Sequence, residues 1–371
     1  MSSPAAAPPR FYLLDLLRLC AAASVLAYHY TGRNHKNWQA STEQTFGALS
    51  HVTAYGALGV QLFFIISGFV ILMSAQGRSV QSFIAGRISR LYPAYWVSVL
   101  LGSLLGPLLA PEVFKNPSAV KTLANLTMMQ NALGQKDVDG VYWTLWIELL
   151  FYVMIAIFLV VGMTQTRIMA FIIVWPLVGA MAQQGDAGLV VELLQPGYAG
   201  LFTGGMALFL IHQYGHSLLR WLLVVYSVCF AVPQTIAVNF HPMVQKYVGR
   251  DMSDTVCAAL VILCFALVAL VTVTPLRHKG WGWMTYAGAL TYPLYLFHQY
   301  WGWTVIRTLS PTLNKWLVVA VATAVCVALA IIVERWVERP LRRRLRSTLK
   351  RGFAEVTAAS NSRGEPGAPR H

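Results

Sequence analysis

The chain is a succession of apolar stretches, each close to the roughly 17–25 residues that cross a bilayer as a helix. They run near 11 to 30, 56 to 75, 93 to 110, 143 to 162, 167 to 182, 196 to 212, 218 to 236, 256 to 274, 284 to 306 and 316 to 337. Inside hydrocarbon, backbone N–H and C=O groups find partners only within a helix or a closed barrel, and stretches of this length select helices. Composition agrees, with 57% of residues hydrophobic and 11% charged, against roughly 25% charged in a soluble domain. The expectation is an all-α, polytopic membrane helix bundle of about ten transmembrane helices. The stretch at 167 to 182 is short and holds Pro176, which leaves nine or eleven spans open.

A formal net charge of +14 raises the question of nucleic acid. The basic residues Arg339, Arg342, Arg343, Arg344, Arg346, Lys350 and Arg351 answer it, because they directly follow the last span. Cations there favour the cytoplasmic side and its anionic lipid surface, so the partner they imply is the bilayer and not nucleic acid. With ten spans, both termini are then cytoplasmic, and Arg78, Arg87, Arg90, Arg167, Arg220 and Arg277 fall in cytoplasmic connections. The first apolar run is interrupted by Arg18 and lacks a small-residue cleavage site, so it reads as a span and not a signal peptide. Residues 1–10 and 341–371 read as flexible tails, the second basic and then disordered from 352, around one transmembrane domain over 11–340. Cys20, Cys229, Cys257, Cys264 and Cys326 lie in apolar segments without metal or redox spacing. No metal is expected.

Charged residues inside such spans are expensive and face protein or a polar path. Asp15 and Arg18 are three apart on the first helix and close enough to pair. Arg18 and His29 are eleven apart, about three turns, so they share a face at roughly 16 Å separation. In the fourth span Thr144, Glu148 and Tyr152 are spaced by four and share a face. Counting from the helix end places Glu148 at the depth of His29, where a carboxylate orients an imidazole and stabilises its charged form. Arg87 and Arg90, three apart before the third span, suit phosphate groups through forked donors. Pro293 permits a local break in the ninth span, which carries His298. Ser67-Gly68 reads as a small-residue packing point, and His212 and His216 as loop histidines. For each polar residue a structural salt bridge or packing contact competes with a functional role.

Together, Arg18 with His29, "FFIISGF" in the second span, "RISRLYP" at the third, "WTLWIELLFY" in the fourth and "YPLYLFH" in the ninth resemble the acyltransferase-3 family of integral-membrane O-acyltransferases. The resemblance covers residues 11 to about 340, in the stand-alone form without an outer hydrolase-like domain. It implies transfer of an acyl group, commonly acetyl, from cytoplasmic acyl-CoA to a carbohydrate hydroxyl of a surface glycan or exopolysaccharide unit, such as a lipid-linked saccharide. The setting it implies is the bacterial inner membrane. It also implies His29, Arg18 and Glu148 as catalytic residues and Arg87 and Arg90 as the acyl-CoA site. Asp15, Tyr152 and His298 are further candidates. His29 is expected to act as general base or as acyl carrier. Two alternatives stay open: acylation of a glycosylated small metabolite by the same chemistry, and a proton-coupled transporter using Asp15, Arg18, His29 and Glu148 as a relay.

Overall fold

The computed structural model describes residues 11–363, so the N-terminal segment 1–10 and the last part of the C-terminal segment lie outside the described residues. Nine helices among the described residues are long and apolar enough to cross a membrane. The first is α1 (Tyr12–Ala27), prolonged by a π-turn over Tyr28–Gly32. Next come α2 (Gly59–Ala75), α3 (Val80–Leu100), α4 (Trp143–Val161), α5 (Gln165–Gln184) and α6 (Pro196–Tyr214). They are followed by α7 (Leu218–Gln234) and α8 (Asp254–Val273). The expected ninth span is two pieces, α9 (Gly282–Phe297) and α10 (Tyr300–Leu309), and the bundle closes with α11 (Lys315–Val333), which runs through a π-turn at Glu334–Glu338 into α12 (Arg339–Arg363).

Three expectations about these elements change. Pro293 sits inside α9, and the break falls instead at His298 and Gln299, where outside groups satisfy the freed backbone. Asp139 Oδ2 accepts the Tyr300 N–H at 3.3 Å, and the Tyr30 hydroxyl donates to the His298 carbonyl at 2.8 Å. The third span begins at Val80, not 93, because Ser79 accepts the Ser82 N–H and Pro93 is accommodated within α3. Arg87 and Arg90 therefore stand on the helix itself and not on the connection before it. Gly352 does not end the last helix, which continues to Arg363 where an irregular tail was expected.

Two turns on the face that carries both ends of the described chain share one device. Gly162-Met163-Thr164 and Gly215-His216-Ser217 each put a glycine at positive φ after a helix and an N-capping hydroxyl before the next. Three residues after each cap an arginine reaches back. Arg167 Nη1 donates to Val161 O at 2.6 Å and Gly162 O at 2.9 Å, and Arg220 Nη1 donates to Tyr214 O at 2.9 Å and Gly215 O at 2.8 Å. Each guanidinium thus satisfies the last carbonyls of one helix from the first turn of the next.

At the centre lies α6, buried from Pro196 to Ile211. Its glycines let the backbone of α2 approach closely. A Cβ on Gly205 would meet the Ile65 carbonyl, and one on Gly68 the Phe202 carbonyl, both well inside contact distance. Gly68 is the packing point that the sequence suggests. Outward-facing Val153, Ile157 and Val160 on α4 are 50%, 56% and 74% exposed, an apolar stripe suited to lipid.

Overpacking at such a crossing costs about 1–3 kcal/mol or more. Gly205→Ala should lower the thermal midpoint of the detergent-solubilised protein by several degrees. Gly86→Ala, whose Cβ would meet nothing within 4 Å, should leave it unchanged or slightly raised.

Candidate active site

Two cavities adjoin inside the bundle. The inner one, nearer the face of both chain ends, has about 800 Å³ between its walls, counted out to its mouth. Arg18, Arg87, Arg90, Glu148 and Tyr152 all line it, joined by Ser67, Thr291 and Tyr292. Glu148 is its single lining carboxylate among the described residues. Its Oε1 accepts the Tyr152 hydroxyl at 2.6 Å and the Ser67 hydroxyl at 3.3 Å. Arg87 Nη2 donates to Ser74 Oγ at 2.5 Å, and the guanidinium lies 5.5 Å from the centre of the Tyr152 ring. Arg18 Nη1 pairs with Asp15 Oδ1 at 3.2 Å. That pair depends on Gly288, where a Cβ would stand 2.5 Å from Asp15 Cγ.

Buried Glu334 and Glu338 stand behind this cavity on the π-turn before α12. Glu334 Oε1 binds Arg339 at 2.9 Å, while Arg90 and Arg342 are the nearest cations facing Glu338. Neither carboxylate was a sequence candidate. The "VERWVER" run reads on paper as a charged helix end, and only its packing on α3 brings it to Arg90.

The outer cavity, about 1050 Å³ on the same measure, holds His29 in its wall with Tyr28, Arg33, Gln61, Asn239 and Tyr247. Val60 and Tyr295 line both cavities, so these two side chains form the septum between them. The Tyr295 hydroxyl is held by Thr144 Oγ1 at 2.9 Å. Tyr295, Ser67 and Gln61 were missed because uncharged polar residues inside apolar runs carry little sequence signal.

Glu148 therefore does not stand beside His29. The Thr144, Glu148 and Tyr152 stripe faces mid-α2 and Arg87, and the hydroxyls of Tyr152 and Ser67 that Glu148 accepts lie in the inner cavity. The neighbour of His29 is instead His298, with ring centroids 5.0 Å apart. His298 Nδ1 donates to the Tyr295 carbonyl at 2.8 Å. Its Nε2, like Nδ1 of His29, has no hydrogen-bond partner among the described residues.

What fixes His29 is its own backbone. The π-turn takes its carbonyl out of the α-helical ladder, and that oxygen accepts Trp303 Nε1–H at 3.0 Å and His35 Nε2–H at 3.1 Å. The acceptor demands that His35 carry its proton on Nε2, which leaves Nδ1 free to accept from Asn37 N–H at 3.3 Å. Burial, and then the Arg33 charge, hold the His35 imidazole down at about 3, so it stays neutral in this role. His212 and His216 do not form a site. His212 is engaged by the Thr272 carbonyl at 3.1 Å, and His216 accepts the Trp221 indole N–H at 3.2 Å.

In the connection before α4, Asp139 is 2% exposed and accepts the N–H groups of Val141 and Tyr300, at 3.2 and 3.3 Å. Burial pushes its carboxyl up to about 7. The unfolded chain releases that proton at about 4, so folding stability falls as pH rises through this interval.

The bundle thus holds two adjoining cavities, one lined by three arginines and the other by His29. The family model described as "Acyltransferase domain" matches residues 11–335, and the chain belongs to this acyltransferase-3 family. The chain is 31% identical over 155 residues to "Acyltransferase MdmB" of Streptomyces mycarofaciens, covering 39% of each chain. It is 34% identical over 113 residues to "Exopolysaccharide production protein ExoZ" of Rhizobium meliloti (strain 1021), covering 29% of this chain and 35% of that one. With "O-acetyl transferase" of Shigella phage Sf6 the identity is 29% over 213 residues, 53% of this chain and 62% of the phage protein. The chain thus spans less than two thirds of the length of these curated relatives. No solved structure matches the chain significantly.

Two outcomes are expected from this geometry. Gly288→Ala should displace Asp15 and reproduce the effect of Asp15→Asn on any ligand that binds at Arg18, read as matching losses of affinity. Between about pH 5 and pH 7 the thermal midpoint of the protein should fall, and Asp139→Asn should flatten that slope.

Proposed function

We propose that the protein is a membrane O-acyltransferase that moves an acyl group, acetyl in the simplest case, from acyl-CoA to a carbohydrate hydroxyl. The observation that carries this reading is the convergence of Arg18, Arg87 and Arg90 on one cavity against a single lining carboxylate. Guanidinium forks in a partly desolvated pocket suit phosphate groups, and a phosphate-bearing donor such as coenzyme A matches their charge. The carbohydrate acceptor is suggested by the exopolysaccharide and O-acetyl names of two relatives and by the aromatic and amide walls of the outer cavity, Trp143, Tyr198, Gln61 and Asn239.

In this mechanism the donor phosphates rest on Arg87 and Arg90, and the thioester reaches past Tyr295 toward His29. His29 takes the proton of the acceptor hydroxyl through the ring nitrogen that faces the cavity. The acceptor oxygen forms a bond to the thioester carbon. As that tetrahedral centre collapses, the C–S bond breaks and the CoA thiolate leaves, to be protonated by the imidazolium. Glu148 is assigned to the donor side, where with Tyr152 and Ser67 it shapes the arginine cavity. His298 is a positioning residue that packs against the imidazole, and Arg18 lines the route of the donor arm.

The basic run at the start of α12 lies on the face of both chain ends, and basic flanks favour the cytoplasmic side. The inner cavity then opens to the cytoplasm, where acyl-CoA resides, and the outer one away from it. The membrane is then the cytoplasmic membrane, as the resemblance implies. Lipid linkage of the acceptor fits an outer cavity within reach of the bilayer. The transporter reading draws less support, because Glu148 and His29 line different cavities and do not form a continuous relay.

The test uses purified protein in lipid nanodiscs with labelled acetyl-CoA and extracted surface glycans. His29→Ala should lower transfer by about 100-fold or more at unchanged donor KM. Arg87→Ala should raise donor KM by roughly 10–100-fold, the loss of one charge-assisted contact, with a smaller change in kcat. Near-wild-type turnover in His29→Ala would overturn the assignment of the base.

A further inference from the structure

The outer cavity carries positive charge and no negative charge. Arg33 and Lys246 are its charged lining residues, and among the described residues no carboxylate lines it. Arg33 follows the π-turn of α1, and Lys246 sits on the helical extension of α7. Asn34 ties the two segments together, donating from its backbone to Tyr247 O at 2.8 Å and from Nδ2 to Val248 O at 2.6 Å. The guanidinium of Arg33 lies flat on Tyr247, 3.7 Å from the ring centre, with Trp303 at 5.2 Å. Stacking of this kind occupies the face of a guanidinium and leaves its edge donors free.

Arg33 Nε is buried without a hydrogen-bond partner, and no salt bridge reaches Arg33 or Lys246 among the described residues. Asp139, an acid that faces Arg33, is occupied by the N–H groups of Val141 and Tyr300. Two more polar atoms of the same wall, the Tyr28 hydroxyl and Gln61 Oε1, are also buried and unpartnered. An arginine edge costs free energy when desolvated without a partner, and here the missing partner is an anion.

We propose that the acceptor is an anionic carbohydrate, whose carboxylate or phosphate is bound by Arg33 and Lys246 while the hydroxyl to be acylated lies at His29. This deepens the acyltransferase reading and rests on it for the role of the cavity. Arg33 is among the charged groups that face His29, so an anion held there places negative charge next to the imidazolium that forms when the hydroxyl proton moves. The acceptor then supplies the charge that Glu148, in the other cavity, does not.

The test is saturation-transfer NMR on the full-length protein in lipid nanodiscs, with glucose, glucuronate and glucose 1-phosphate as probes. At least one of the charged sugars should bind about tenfold tighter than glucose or more, about 1.4 kcal/mol, and salt should weaken that preference. Tighter glucuronate identifies a carboxylate acceptor, and tighter glucose 1-phosphate a phosphate. Arg33→Gln with Lys246→Gln should remove the preference, while Arg33→Lys should keep most of it, which separates lost charge from lost folding. Glucose binding as tightly as both charged sugars, or a preference that survives the double glutamine variant, would overturn the proposal. Wild-type protein that prefers the charged sugars but transfers no acyl group from acetyl-CoA would overturn the acyl-transfer reading alone and leave the anion site standing.

Discussion

Widening the last turn of α1 over Tyr28–Gly32 takes the His29 carbonyl out of the regular ladder, and in a membrane interior such an acceptor has to be satisfied by the protein itself. Trp303 from α10 and His35 from the connection after α1 both donate to it. The imidazole is thereby placed by three separate segments and not by α1 alone. Trp303 can reach because the ninth span is broken at His298 and Gln299. The break in turn is stabilised by Asp139 at the start of α10 and by Tyr30 at the end of α9. A one-residue irregularity in one helix and a two-residue gap in another are thus complementary, and π-turns of this kind recur at functional sites.

The membrane-spanning order of the chain was legible because hydrocarbon removes every other option for the backbone. The charged candidates were legible for a related reason, since a charge in an apolar run is too costly to keep without a partner or a use. Arg18 and Glu148 stood out on that ground, Arg87 and Arg90 as a forked pair suited to phosphate, and all four line one cavity. Depth was not legible. Counting residues from an assumed helix end put Glu148 beside His29, yet its bonds to Tyr152 and to Ser67 of α2 place it with the arginines. In sequence the third span reads as starting late, near 93, because the polar run that carries Arg87 and Arg90 does not look apolar, although α3 begins at Val80. The arginines of the tight turns hid a second use. Arg167 and Arg220 read as topological charge, and the structure adds their role as caps on the helices that precede them.

Neutral side chains form the rest of the site and leave no trace in composition. Tyr295 and Val60 separate the cavities, and Gln61 and Tyr28 offer unpartnered polar atoms to the outer one. Val60 and Gln61 are carried by α2, which approaches α6 closely at Gly68 and Gly205. The sequence shows small residues there, but not which helix they admit.

The charge distribution connects stability to use. The inner cavity sets three guanidiniums against Glu148, with Asp15 on Arg18 and Glu338 facing Arg90 as internal counter-charge. Full neutralisation from within the protein would leave a polyanionic donor nothing to pair with, and no internal acid at all would leave buried cations at a cost of several kcal/mol each. The observed arrangement lies between these limits: Asp15 pairs with Arg18, Glu338 faces Arg90, and Glu148 shares Oε1 with two hydroxyls inside the cavity. Residual positive charge then faces the cavity, and a ligand that supplies the missing negative charge binds the folded protein and not the unfolded chain. Such a ligand stabilises the fold in proportion to its affinity, so the same arginines that are costly in the empty protein become stabilising contacts when the site is filled.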